Sequence, residues 1–337
     1  MSHGFQRIPL IGTGDAAGTH GTPAADAAAW TLSPPVRALI EAFAEDGRDR
    51  ALLNDLDAGA GSTAERLARL DRFSERWDTR QGRERNQAGQ LDLTPAQRAL
   101  VHAAAKALGM CDDPGPRLRH YDHVLILGGS IRGCLARPAH AAHLIRSRRV
   151  LAGHITALGG HRPFVGDESA LAAAAGVPWL TEEFAALDHG TRRAFALGEP
   201  ESTEGETSPL PGGAWSVRRY RAAGIPPVHV VAAPSSAPAE RRADTADTYA
   251  FFSERLAGLR PGTRLLLVTA SINVPAQHVA ALRMLALPHG AVVDTVGNLP
   301  RSVPPALARR FTATEYLLEV RSTIRALYRL VLAGQPA

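Results

Sequence analysis

Cysteine is scarce: Cys111 and Cys134 are the only two in 337 residues. Two isolated thiols exclude a disulfide framework of the kind that holds small secreted domains together. Cys134 follows a Gly-rich turn, where an inert small residue at a helix start is preferred over a nucleophile. No apolar run approaches the roughly 18–20 residues of a membrane span. The N-terminus has neither the basic nor the apolar segment of a secretory signal. These absences predict a cytoplasmic protein without a membrane partner.

Lysine is scarcer still, with Lys106 alone, and aromatic residues make up 5% of the chain. The apolar content is instead Ala, Leu and Val. The formal charge of +5 rests on arginine, a bias that suggests a GC-rich bacterial genome. Acids are interspersed among the arginines throughout. Nucleic-acid binding needs a basic stripe or cluster, so a few arginines facing a small anionic ligand are expected instead.

Residues 1–31, rich in Gly, Ala and Thr, read as a flexible segment. The run from Gly12 to Gly18 superficially resembles a phosphate loop but lacks a strand before it and a Lys-Ser/Thr end. A helical N-terminal part is expected over 32–115. Its first helix spans 35–45, with Val36, Leu39, Ile40 and Phe43 on one face. Its second opens at Ser62 or Thr63 and carries Leu67, Leu70, Phe73 and Trp77. Its third is capped by Thr94 with Pro95 in the first helical position. Breakers at 112–116 end this part.

From residue 116 the pattern changes. Short continuous apolar runs at 123–127, 154–158, 227–233 and 264–269, with a shorter one at 291–294, read as strands buried on both faces. Helices are expected at 138–148, 168–175, 181–197, 242–259 and 276–285. A last helix at 314–332 is expected to dock on the sheet or on the N-terminal helices. Residues 199–213 read as a surface loop or insertion. Strands alternating with helices predict an α/β fold: a three-layer, Rossmann-like, doubly wound and mainly parallel sheet over 116–337, with the helical part added before it.

In such sheets ligands bind beyond the carboxyl ends of the strands. Here those ends are Gly128-Gly129-Ser130, Gly159-Gly160-His161-Arg162, Ala233-Pro234-Ser235-Ser236 and Thr269-Ala270-Ser271. Glycine lets a ligand approach the backbone, and helix N-termini hold anions. Arg132, Arg137 and Arg162 supply positive charge. Asp244 and Thr245 open a helix, where they either cap it or meet a ribose. The pairs His120/His123 and His140/His143 have a spacing that metals use, but no third ligand is nearby in sequence and no metal is assigned. Gly129-Ser130-Ile131-Arg132-Gly133 lacks the offset of a nucleophile elbow.

The order Leu127-Gly128-Gly129, Arg132 or Arg137, Leu158-Gly159-Gly160, Asp167-Glu168-Ser169-Ala170, Asp244-Thr245-Ala246-Asp247, then Leu267-Val268-Thr269-Ala270-Ser271 with His278 and Arg283 following, resembles the DUF218 group of YdcF-like and SanA-like proteins over residues 121–295. The resemblance implies a Rossmann-like fold binding a nucleotide-like molecule, with S-adenosylmethionine as a candidate cofactor.

The expected site therefore comprises Gly128, Gly129, Ser130, Gly159 and Gly160 as backbone contacts and Arg132 and Arg137 against anionic groups. Thr245, Thr269, Ser271, Asn273, Gln277 and Arg283 line the crevice, with His278 and Asp244 as candidate acid/base groups. Three readings stay open: a transferase or hydrolase on a nucleotide-like substrate, a non-catalytic ligand sensor whose helices signal to a partner, and a methyltransferase-like use of S-adenosylmethionine.

Overall fold

The computed structural model describes residues 4–12, 22–80, 82, 88–112, 115–298, 305, 307–308 and 310–335. The chain divides into two compact units. One comprises residues 1–112, 271–283 and 310–337, the other 113–270 and 284–309. The Gly12–Gly18 run lies almost wholly outside the described residues.

The first unit is helical. It holds α1 (Pro23–Thr31), α2 (Pro34–Phe43), α3 (Gly47–Asp57), α4 (Thr63–Phe73), α5 (Pro95–Ala107), α10 (Val274–Ala281) and α12 (Ala313–Ala333). Helix starts are written in the sequence. Ser62 and Glu65 form a reciprocal capping box on α4, Thr94 and Gln97 one on α5, and Thr312 and Glu315 one on α12. The flexible segment expected over 1–31 in fact contains α1, whose first-turn amide of Ala25 is capped by Thr22. Helix α12 packs with α1, α4, α5 and α10, so it belongs with the N-terminal helices. It is held there by Arg321, whose guanidinium donates to the Asp71 carbonyl (2.7 Å) and to Ser74 Oγ (2.8 Å).

The second unit is an α/β domain with a seven-stranded, mostly parallel mixed sheet. The strands are β1 (His120–Leu127), β2 (Leu151–Gly159), β3 (Ser202–Glu206), β4 (Trp215–Ala222), β5 (Ile225–Ala232), β6 (Arg264–Ala270) and β7 (Val292–Asn298). The order across the sheet is β3-β4-β5-β2-β1-β6-β7. The five strands from β5 to β7 run parallel, and β3 and β4 add an antiparallel edge beside β5. With β1 central and the order reversing on either side of it, the parallel part is consistent with a Rossmann-like fold. Helices α6 (Ile131–Arg146), α7 (Glu168–Ala174), α8 (Glu183–Phe195) and α9 (Thr245–Phe252) and a short turn α11 (Leu287–His289) complete it. The core joins Val124, Ile126, Ile155, Val228, Val230 and Val268 of the strands to Ile131, Ala141, Leu144, Phe184 and Leu187 of α6 and α8.

Two further segments differ from expectation. The helix expected from Pro138 begins at Ile131 and runs through Pro138. Proline has no N–H, so the Cys134 carbonyl four residues back loses its helical partner. Gly190 of α8 packs against that oxygen: a Cβ built there would lie 2.1 Å from it. The surface loop expected at 199–213 contains β3, paired with β4. Both strands escape a hydrophobicity reading because β3 is exposed throughout and β4 carries Arg218, Arg219 and Arg221.

Candidate active site

The turn between β1 and α6 is where a Rossmann-like sheet offers its first anion site. Gly128 is required by space, since a Cβ would lie 2.6 Å from Glu183 Oε1 and 2.9 Å from the Leu158 carbonyl. Gly129 is required by its φ of 144°. Ser130 is the N-cap residue of α6 but makes no side-chain cap. The amide of Ile131 instead donates to Glu168 Oε1 at 2.9 Å. A carboxylate of the chain itself thus occupies a position that suits a ligand's phosphate.

Glu168 also accepts from the Val165 amide (3.0 Å) and from both terminal nitrogens of Arg162 (2.7 and 2.9 Å). Arg162 Nε donates to Glu183 Oε2 at 3.0 Å. Burial works to raise the Glu168 carboxyl, but the Arg162 bonds and the two amides outweigh it, and its pKa ends below the ordinary value. Glu183 is more deeply enclosed, and burial pushes it up against the pull of Arg162. Arg137, expected to meet a ligand's charge, is buried and donates to the carbonyls of Leu127 (2.7 Å) and Gly128. Arg132 donates to the Leu307 carbonyl at 2.7 Å and stands 4.0 Å from Asp167. Burial pushes the Cys134 thiol up, which keeps it protonated.

Asp244 caps α9, accepting from the amides of Ala246 (2.8 Å) and Asp247 (3.1 Å), and Thr245 is the first residue of that helix. Asp247 closes the capping box and also accepts from Arg241 and from the Ser236 amide (3.0 Å). Burial raises it, yet those donors hold its carboxyl down to about 2. Gly159 ends β2 and Gly160 follows it, while Thr269 is fully buried in β6. Ser271, Asn273, Gln277, His278 and Arg283 belong to the helical unit. His278 is fully enclosed on α10, with Nε2 2.8 Å from the Ile11 carbonyl. A carbonyl only accepts, so Nε2 carries the proton.

One constellation at the carboxyl ends of the parallel strands was not singled out by sequence. His161 follows the Gly159-Gly160 end of β2. Its Nε2 lies 2.9 Å from Ser216 Oγ and its Nδ1 3.4 Å from Glu182 Oε2. In the Nδ1–H tautomer the carboxylate accepts from Nδ1–H, and Nε2 accepts from the serine hydroxyl. Local structure sets all three. The Phe164 amide bonds the Thr181 carbonyl and the Glu183 amide bonds the Arg162 carbonyl, both at 2.8 Å, which ties the His161 segment to the start of α8. Glu182 is the N-cap residue of α8 but leaves the helix uncapped by its side chain, which turns to His161. Ser216 stands opposite Ala232, the last residue of β5, which in turn pairs with Gly159. Across from Ser216 on β3 is Gly205, where a Cβ would come within 3.1 Å of Oγ. The His161 ring packs edge-on against Phe184, centroids 5.0 Å apart. The His161 and Glu182 side chains remain 28% and 35% exposed, so a solute reaches them.

Among the described residues no three His, Cys, Asp or Glu side chains stand together as metal ligands. Among them, too, no helix is long and apolar enough to cross a membrane.

Residues 14–109 match the family model described as the Rv3785 N-terminal domain. The chain is 33% identical over 288 residues to the protein Rv3785 of Mycobacterium tuberculosis H37Rv, covering 77% of this chain and 79% of that one. The protein Mb3814 of Mycobacterium bovis matches with the same figures. No solved structure matches. These matches correct the DUF218 resemblance: the YdcF-like and SanA-like likeness rested on short glycine turns and strand ends, which any Rossmann-like sheet supplies. The S-adenosylmethionine expectation came only through that likeness and loses its ground with it.

Proposed function

We propose that this chain, which belongs to the Rv3785 family, is a hydrolase or acyl transferase with Ser216 as nucleophile, His161 as general base and Glu182 as the group that orients it. The observation that carries the proposal is the hydrogen-bonded sequence Ser216 Oγ to His161 Nε2 to Glu182 Oε2, at 2.9 and 3.4 Å. Nucleophile, base and orienting acid are the three roles a serine enzyme needs, recognised by geometry and not by chain order. The three residues meet at the carboxyl ends of the parallel strands, where a doubly wound, three-layer sheet binds ligands.

In the reaction Ser216 Oγ attacks an ester or thioester carbonyl as its proton passes to His161 Nε2. Glu182 holds Nδ1–H and stabilises the imidazolium. His161 then returns the proton to the leaving group, and water or an acceptor releases the acyl group from Ser216 by the same steps reversed. The ligand class shifts accordingly. The α6 N-terminus, Arg137 and Arg162 already have partners within the chain, which disfavours a polyphosphate and favours a compact acyl substrate. Both cysteines are free, in keeping with a reducing cytoplasm.

A fluorophosphonate probe tests this directly. Peptide mapping is expected to find the phosphonyl group on Ser216, and Ser216→Ala to abolish labelling. A wild-type protein that takes up no probe overturns the proposal.

A further inference from the structure

We infer that Arg218 is the residue that selects the substrate, by binding an anionic group, a carboxylate foremost, next to the acyl carbon that Ser216 attacks. The inference rests on the Ser216 reading and deepens it.

Side chains two apart on a strand share a face. On β4 the parity is visible on both sides. Trp215 meets Phe251 on α9, whereas Ser216, Arg218 and Tyr220 meet His161, Phe184 and Asp188 on the α8 side. The register is unbroken up to Tyr220, where the strand's irregularity begins. Arg218 therefore stands one strand repeat, roughly 6.5–7 Å along the backbone, from the proposed nucleophile.

Its guanidinium is held in place without being used up. Nη1 donates to Asp188 Oδ2 at 2.6 Å, and the other oxygen of Asp188 accepts from the Tyr220 hydroxyl at 2.5 Å. The guanidinium carbon lies 4.9 Å from the centre of the Phe184 ring, the same ring that packs against His161. Guanidinium, phenyl ring and imidazole thus form one continuous packed row. Asp188 is the one hydrogen-bond partner of Arg218 among the described residues. A guanidinium has five N–H donors, and the side chain is 34% exposed while Asp188 is 6% exposed. The buried carboxylate anchors one edge of the cation and leaves the rest of its donors to a solute. A planar fork fixed on one side and open on the other is a carboxylate binder.

The test compares two p-nitrophenyl esters of similar size, the neutral butyrate and the anionic hemisuccinate, on the full-length protein. The wild type is expected to have the larger kcat/KM for the hemisuccinate. Arg218→Met is expected to lower the ratio of the two kcat/KM values by about tenfold or more, the loss of one charge-assisted hydrogen bond, through KM of the anionic ester. Arg218→Lys, which keeps the charge and a contact to Asp188, is expected to retain part of the ratio. A ratio unchanged in Arg218→Met, in protein whose thermal midpoint shows it folded, overturns the inference while leaving Ser216 in place. A wild type that cleaves neither ester and takes up no fluorophosphonate overturns the Ser216 reading and this inference together.

Discussion

Glu168 Oε1 accepts the amide of Ile131, the first residue of α6, at 2.9 Å. The same carboxylate receives both terminal nitrogens of Arg162. The helix dipole and a buried cation are thus answered by one side chain, itself 1% exposed. Glu168→Ala leaves Arg162 with Glu183 and the carbonyls of Pro163 and Gly129 as its acceptors, and takes the carboxylate from the Ile131 amide. Breaking one side of a buried pair costs about 3–5 kcal/mol, and urea denaturation is expected to show a loss of that order. Glu168→Gln keeps an acceptor for Ile131 and is expected to lose less. A loss under about 1 kcal/mol in Glu168→Ala would mean that the network does not secure this turn.

The close approach of α6 and α8 gives a sharper steric prediction. A methyl group on Gly190 would sit 2.1 Å from the Cys134 carbonyl oxygen, which is backbone and cannot step aside cheaply. Gly190→Ala is expected to destabilise the α/β unit by about 3 kcal/mol or more. Gly198→Ala serves as its control, since a Cβ there meets nothing within 4 Å. It is expected to stay within about 0.5 kcal/mol of the wild type. Equal melting temperatures for the two variants would refute the packing described.

Three histidines lie on neighbouring strands. His123 of β1 stacks on His154 of β2 with centroids 5.2 Å apart, and His229 lies on β5 beside them in sequence of strands. Burial, then the neighbouring charge of His154, pushes His123 from 6.5 down to about 4. Burial, then Arg219, does the same to His229. Between those values the unfolded chain binds protons that the folded one refuses, so stability rises with pH there. The contribution is complete above pH 6.5 and lost as pH falls to about 4. Denaturation midpoints at pH 7, 5.5 and 4.5 are expected to fall in that order. The double variant His123→Phe/His229→Phe is expected to flatten the slope, and an equally steep slope in that variant would place the titration elsewhere.

The parts of this fold that were legible in the sequence are those where one physical signal dominates. Strands β1, β2, β5 and β6 are buried toward their carboxyl ends and read as mainly apolar runs, and Ser62 and Thr94 mark helix starts. Other parts carry signals that contradict their structure. Pro138 reads as a start yet sits inside α6, and the arginines of β4 hide a strand whose buried members are Val217 and Tyr220. The division into units was not legible either, because α10 and α12 join the N-terminal helices from far along the chain. By that division Ser271, Asn273, Gln277, His278 and Arg283 belong to the helical unit and the other expected site residues to the α/β unit. Ser216, His161 and Glu182 went unmarked for a related reason. They are 55 and 21 residues apart, and only the pairing of β4 with β5 and the tie between His161 and α8 bring them together.

The orienting role of Glu182 separates a working triad from a surface hydrogen bond. Glu182→Gln preserves size and an acceptor oxygen, yet its amide also offers a donor, which pairs with the unprotonated form of Nδ1 and so moves the proton to Nε2. A protonated Nε2 does not accept from Ser216. With a buried acid, the wrong tautomer costs about 10⁴ in kcat. Glu182 is 35% exposed and 3.4 Å from Nδ1, so the imidazole exchanges tautomers more freely and a smaller loss of roughly 10–100-fold is expected. His161→Gln is expected to lose more, because it removes the base itself, and Ser216→Ala to lose all covalent labelling. The rate of fluorophosphonate uptake by the three variants is the measurement. The order wild type, Glu182→Gln, His161→Gln, Ser216→Ala is what nucleophile, base and orienting acid require. Uptake by Glu182→Gln at the wild-type rate would show that the carboxylate merely lies beside the ring.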